Sequence, residues 1–289
     1  MSEQVGLAHV FESHRKDLLA VAYRMLGSLS EAEDAVQEAW LRLSRTEAGS
    51  IVNLGGWLTT VVSRICLDML RSRKSRREDA MDVHLTETFG SHEQVIDPEQ
   101  EAILADTVGT ALLVVLGNLK PAERITFVLH DVFAMPFHEI APIIGKSEMA
   151  TRQLASRARH RVRGGKAMPE VDHTLQRNVV QAFLAAAHAG DFDRLVAALD
   201  PDVVVRDDRQ PGPSRVTRGA AALAKQISGR AQKAAQLALV NGTVGIIAAP
   251  RGRLLYVLRF TLRGGKIAEV DVISDPARIN RLDLALLCD

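Results

Sequence analysis

The stretch from Pro136 to Arg163 constrains this chain more than any other. Ile140 and Ile144 recur at i, i+4 over a short helix from Pro136 to Ile144. Gly145-Lys146 then breaks the pattern, and Ser147 is a natural N-cap for a second helix running to about Arg163. On that helix Thr151, Leu154 or Ala155, Ala158 and Val162 share one face and should point inward. Arg152, Gln153, Ser156, Arg159 and Arg163 are left outside. Pro142 inside the first helix removes one hydrogen bond, and is expected to bend it or to lie in its first turn. Two short helices joined by a fixed turn make a helix-turn-helix. Its second helix offers a rod for the major groove, with Glu148, Thr151, Arg152 and Gln153 near the end where base edges are met. Arg157, Arg159, Arg161 and Arg163 are placed for phosphates. Two packed helices with a solvated basic face would give the same pattern, so the motif needs company to mean DNA.

Charge supplies some of it. The net charge of the 289 residues is only +1, but its distribution is uneven. Residues 71–77 hold five cations, Glu78 to Leu119 hold none, and Arg152 to Lys166 is basic again. Local sign, rather than net charge, selects partners. Apolar residues at 47% allow real cores and exclude disorder throughout. Cys66 and Cys288 offer neither a disulfide framework nor zinc spacing, and Cys66 fits a helical core. No signal pattern or membrane-length apolar run is present. A cytoplasmic protein without metal, cofactor or membrane contact is expected.

Residues 7–75 have a helical pattern. Ser30 and Glu33 are expected to form a capping box. Val36, Trp40 and Leu43 lie on one face of the helix that follows, and Glu33, Asp34, Gln37 and Glu38 on the other. Such an acidic face is either solvated or a docking surface for a basic protein. After a loop from Ala48 to Gly56 containing Asn53, Trp57 opens a second long helix. Val61, Ile65 and Leu67–Met69 are its buried positions, and Arg64, Arg71, Arg73 and Lys74 project from it or follow it. A loop beside a basic helix can trap unstacked bases and hold single strands. Residues 76–100 are acidic, contain Gly90 and Pro98, and are expected to be a linker.

Beyond Gly164-Gly165 the pattern changes. An amphipathic helix carries Leu175, Val179, Phe183 and Ala186, and a second covers roughly Phe192–Leu199. Asp200-Pro201-Asp202 is expected as a turn before a strand at Val203–Val205. A helix near Arg218–Ser228 precedes strands near Gln236–Ala248, Leu254–Leu262 and Lys266–Ser274. Arg263-Gly264-Gly265-Lys266 forms a hairpin turn, and a short helix begins at Pro276.

Taken together, "DAVQEAWLRL" (Asp34–Leu43), "GWLTTVVSRICLDMLRSRKSRR" (Gly56–Arg77) and the segment Leu119–Arg163 resemble, in order, regions 2.2, 2.3–2.4 and 4 of extracytoplasmic-function RNA polymerase sigma factors. The resemblance covers about residues 7–165. It implies that Asp34, Gln37, Glu38, Trp40 and Leu41 belong to a helix binding core RNA polymerase through its beta and beta-prime subunits. By the same resemblance Asn53, Arg64, Asp68, Arg71, Arg73 and Lys74 meet the minus-10 promoter element. Glu148, Thr151, Arg152, Gln153, Ser156, Arg157 and Arg159 meet the minus-35 element. "VVQAFLAAAHAGDFDRLVAALDPDVVVRDD" (Val179–Asp208) resembles the opening of SnoaL-like domains, which have the NTF2-like cone fold and are thought to regulate such sigma factors in cis. The glycine-rich motif of some members is replaced here by Asp207-Asp208-Arg209-Gln210.

The implied architecture is multidomain. An all-α region 2 (1–77) is followed by an acidic linker (78–100), an all-α helix-turn-helix region 4 (101–166) and an α+β NTF2-like cone (170–289). The implied function is transcription initiation on promoter DNA, without catalysis. Asp202, Asp207, Asp208 and His188 are the only acid–base types suggested in the cone, and no spacing pairs them. A small ligand or a homodimer through this domain stays open. So does the alternative, a helix-turn-helix regulator with a ligand-sensing or enzymatic SnoaL-like domain.

Overall fold

The computed structural model describes residues 2–46, 51–80, 109–164, 170–208, 215–228, 235–250 and 254–287. Most of the expected acidic linker lies outside the described residues, as does the Arg209-Gln210 part of the first-strand motif. The chain divides into two compact units, Met1–Val108 with Leu119–Arg159, and Gly109–Asn118 with His160–Asp289.

The first unit begins with three packed helices, α1 (Ser2–Leu26), α2 (Leu29–Leu43) and α3 (Leu54–Ala80). Helix α2 buries Ala32, Ala35, Val36, Ala39 and Leu43. Its alanines let α1 and α3 approach closely. The chain turns between α1 and α2 at Gly27, whose φ of 74° suits a residue without Cβ. Ser28 then caps α2, accepting from the Glu31 N–H at 3.5 Å. The cap is therefore Ser28, not Ser30. Two S-x-x-E patterns overlap here, and the left-handed Gly27 fixes which one is used. Helix α3 opens at Leu54, three residues before Trp57, because Asn53 Oδ1 accepts from the Gly56 N–H at 3.0 Å. It also runs on to Ala80, into the stretch expected to be linker. Cys66 is fully buried on α3, and burial pushes its thiol up to about 12, so it stays a protonated core group.

The same unit continues with α5 (Pro121–Phe127), which runs into a π-helical turn at Val128–Val132, then α6 (Phe137–Ile144) and α7 (Glu148–Arg163), whose last residues from His160 belong to the second unit. Pro121 stands at the start of α5, where its missing N–H costs nothing. Gly145, at φ 69°, ends α6. Pro142 lies in the second turn of α6 rather than the first.

The second unit is a seven-stranded sheet with helices on it. Its elements are α4 (Thr110–Gly117), α8 (Glu170–Ala189), α9 (Phe192–Ala198), β1 (Leu199–Asp207), β2 (Arg215–Arg218) and α10 (Ala220–Ile227). They continue with β3 (Ala235–Val240), β4 (Thr243–Ala248), β5 (Tyr256–Arg263), β6 (Lys266–Ile273), α11 (Pro276–Ile279) and β7 (Leu284–Ala285). The sheet order is β2-β1-β6-β5-β4-β3-β7, antiparallel except for β1 beside β6. Helices α8–α10 cover one face, where Phe183, Leu195 and Leu223 pack with Val205, Ile246, Phe260 and Val270. This is the α+β cone that the resemblance implies.

Three sequence expectations change here. Residues 236–248 form two strands, joined by Asn241-Gly242 at positive φ (51° and 79°). Asp200-Pro201-Asp202 lies within β1, at an irregularity in its pairing with β6, where Asp200 Oδ1 accepts the Asp202 N–H at 2.9 Å. Strands β2 and β7 had no counterpart in the sequence pattern.

The other sheet face is also covered. Ala238, Val240, Ile247, Ala249, Val257, Ile273 and Leu284 form a second core with Ala111 and Val114 of α4. The Ala111 N–H donates to Gln236 Oε1 at 3.0 Å. Strand β4 is thus buried on both sides, and Gly245 is its tightest point. A Cβ there would stand 2.6 Å from the Leu258 carbonyl oxygen and 2.8 Å from Val240 Cγ2. Gly245→Ala is expected to cost about 1–3 kcal/mol through the forced shift of β5, read as a lower urea midpoint. An unchanged midpoint would mean that the sheet yields freely at this position.

Candidate nucleic-acid and polymerase interface

Helix α7 starts as its sequence dictates. Ser147 Oγ accepts from the Ala150 N–H at 3.3 Å, and the Ser147 carbonyl accepts from the Thr151 hydroxyl at 2.9 Å. Thr151, Leu154, Ala155, Ala158 and Val162 are buried, giving the inward stripe that the spacing predicts. Thr151 had been given two roles, inward and base-facing, and it lies wholly inside. Its satisfied hydroxyl lets a threonine serve as a core residue there.

The outward residues are partly organised already. Arg152 is paired with Glu148 at 2.5 Å, and its guanidinium lies 5.1 Å from the centre of the Phe137 ring. His130 stacks on the same ring at 3.8 Å, and its Nδ1 is 3.0 Å from the Met135 carbonyl. Arg157 approaches the buried Glu123 at 3.7 Å and Arg159 approaches Asp131 at 3.5 Å. Gln153 and Ser156 are exposed. The aromatic platform Phe137 was missed from sequence. Its signal was an aromatic at the first residue of the helix packed before α7.

On α3, Arg64, Asp68, Arg71 and Lys74 form one exposed strip at helical spacing. Asp68 and Arg71 lie 3.8 Å apart, and Arg64 Nη2 reaches the Pro142 carbonyl at 3.5 Å. Arg73 does not join the strip. It is half-buried, ion-paired with Glu31, and donates to the Leu26 carbonyl at 3.2 Å, tying α3 to the turn before α2. Asn53 is exposed and serves as the cap of α3.

On α2, Asp34, Gln37 and Leu41 are exposed, and Glu38 pairs with Arg42 at 2.9 Å. Trp40 is half-buried against Phe11, with ring centres 5.1 Å apart. Between α1 and α2 these rings line an open groove of about 260 Å³, with Val36 and Gln37 beside them and Glu12 and Arg15 at its rim. Of the α2 candidates, Gln37 and Trp40 line this slot.

The cone has its own cavity. Phe183, Val205, Asp207, Arg215, Tyr256 and Leu258 are among its walls, and its volume is about 80 Å³. That is below the roughly 300–1,000 Å³ of ordinary ligand pockets. Asp208 is engaged elsewhere. It accepts from the Ser274 N–H at 2.6 Å and from Arg278 Nη1 at 2.7 Å. Asp202 and His188 are exposed. Among the described residues no His, Cys, Asp and Glu side chains group as a metal site.

Residues 10–76 match Sigma-70 region 2, and residues 110–162 match Sigma-70, region 4. The chain is 40% identical to the ECF RNA polymerase sigma factor SigJ of Mycobacterium tuberculosis, over 92% of this chain and 91% of that one. The chain belongs to the extracytoplasmic-function sigma factor family. A second relative from the same species, the probable ECF RNA polymerase sigma factor SigI, is 35% identical over 98% of both chains. The crystal structure of SigJ aligns over 94% of this sigma factor and 98% of its own chain, with 35% identity and a TM-score of 0.45.

Sigma factors bind core RNA polymerase and promoter DNA to initiate transcription, and the family is not an enzyme class. Among the described residues of this sigma factor, no helix is long and apolar enough to cross a membrane. The match to region 4 also includes all of α4, a helix that belongs to the same compact unit as the cone.

Proposed function

We propose that this sigma factor initiates transcription under the control of its own C-terminal cone, which acts by holding both ends of region 4. Helix α4, at the start of region 4, lies on the outer face of the sheet with Ala111 and Val114. At the other end of region 4, the Leu286 N–H donates to the Val162 carbonyl of α7 at 2.8 Å. Gly164 follows at φ 79°, and a Cβ there would stand 3.0 Å from Leu239 and 3.3 Å from Ala285. The inclusion of these two flanks in the C-terminal unit is the observation that carries the reading.

In this reading α2 docks on the beta and beta-prime subunits of core polymerase through Asp34, Gln37, Glu38, Leu41 and the Trp40 groove. The α3 strip of Arg64, Asp68, Arg71 and Lys74, with Asn53, meets the minus-10 element, while Arg73 supports it from behind. Glu148, Arg152, Gln153, Ser156, Arg157 and Arg159 meet the minus-35 element, and Thr151 holds their helix in place. The cone is regulatory rather than catalytic, and the protein works beside polymerase in the cytoplasm.

Run-off transcription with purified core polymerase tests this, on promoters selected with the full chain. The full chain is compared with a truncation ending at Met168. Both should bind core and initiate, at different levels. Equal levels would remove the cone from regulation. Failure of both, with tight binding to duplex DNA alone, would favour a helix-turn-helix regulator.

A further inference from the structure

The geometry points to Met149 as a specificity-determining residue that reads thymine methyl groups in the minus-35 element. The inference rests on α7 being the helix that enters the groove. Met149 is 71% exposed, on the first turn of α7, where base edges are usually met. The exposed polar groups around it are partly engaged: Glu148 and, one turn on, Arg152 pair at 2.5 Å, with Arg152 also over Phe137. A large apolar side chain standing out of so basic a helix wants an apolar partner within a strongly anionic one. The major groove of DNA supplies that combination in one place, the C5-methyl group of thymine. Hydrogen-bonding residues such as Arg152 and Gln153 suit purine edges, whereas the thymine C5 methyl offers no hydrogen bond and is met by apolar contact. Methionine is unbranched and adaptable, and so reaches a methyl without a strict rotamer. The fully buried Thr151 cannot make that contact, although its own methyl is of the right kind.

The test uses the holoenzyme, full chain plus core, on a selected promoter in which each thymine of the minus-35 element is replaced in turn by deoxyuridine. That replacement deletes only the C5 methyl. At one position the unaltered protein should bind about fourfold more weakly, the size expected for one lost methyl-sized contact. Met149→Ala should show a similar loss on the thymine promoter and no further loss on the deoxyuridine one. Independent, additive losses would overturn the proposal, as would a selected element in which no thymine matters. A loss of core binding by Met149→Ala, equal on all promoters, would assign the side chain to a protein contact and also overturn it. Indifference of the holoenzyme to a fully scrambled minus-35 element would instead reject the placement of α7 in the groove.

Discussion

Arg124→Met is expected to raise the melting temperature of the sigma unit at neutral pH, although it deletes a buried hydrogen bond. Arg124 is almost wholly inside the protein. Its Nη2 donates to the Arg24 carbonyl at 3.3 Å, and its Nε has no hydrogen-bond partner among the described residues. Burial first, and then repulsion from the Arg73 cation, lower the guanidinium from its ordinary value to about 9. Exchanging a poorly compensated buried charge for an apolar side chain of similar length is commonly neutral or stabilising by about 1–4 kcal/mol. The sign with pH follows. In the unfolded chain the guanidinium has its ordinary, much higher pKa, whereas in the folded one burial holds it lowered to about 9. Between those values wild-type stability rises relative to the variant, and the gap between them should narrow as pH climbs through 9. Calorimetry of both proteins at pH 7.5 and pH 10 reads this directly. A variant that melts several degrees lower would show that the guanidinium is well paired inside. The position has a functional side as well. Arg124 stands on α5, and its contacts are with α1 and α3, so the joint between the two promoter-reading parts of the first unit contains an awkward charge. Elements named minus-10 and minus-35 are about 25 base pairs apart, roughly 85 Å of duplex. A weak joint suits two parts that have to reach that far, and a tightened one should lower initiation.

Val114→Asp should have the larger effect on the second unit. Val114 is 6% exposed, against Val240, Ile247 and Val257 on the outer sheet face. An unpaired carboxylate there costs several kcal/mol, enough to free α4 from the sheet. Hydrogen exchange should show residues 110–117 losing protection while α8 to α10 keep theirs. Run-off transcription should shift in the same direction as the truncation at Met168, since no DNA-facing side chain has been altered. Freed exchange with unchanged initiation would remove the outer face from the regulatory scheme.

How much of this could be seen in the sequence depended on whether an element shows its environment locally. Helices α2 and α7 declare themselves by period, because each has one wet face and one dry one. The Gly264-Gly265 hairpin is equally plain. Strands β3 and β4 are not, because β4 is dry on both faces and gives no alternation to mark where it starts. The Asn241-Gly242 turn signal was there, hidden inside a continuous apolar run. Thr151 shows the limit on sites. Residue type suggested a base contact, while its i−4 bond to the Ser147 carbonyl makes it a core residue. Arg73 is similar, a cation in a basic run that is consumed by Glu31 and the end of α1. The surface that covers helix α4 is the clearest omission. Thr-Ala-Leu-Leu-Val-Val-Leu-Gly requires burial, but nothing in those eight residues says which surface provides it.

The pairing of β7 with β3 has a consequence in time. The Leu284-Ala285 strand, and the Leu286 N–H that reaches back to Val162, emerge from the ribosome more than a hundred residues after α7. At roughly 5–20 residues per second, that separates the two events by something like 6–25 seconds. During that interval a nascent chain has a finished promoter-reading helix and no strand to restrain it. Whatever control the cone exerts therefore begins only once β7 has been made, and a ribosome stalled within the cone would display an initiation factor without its brake or its support.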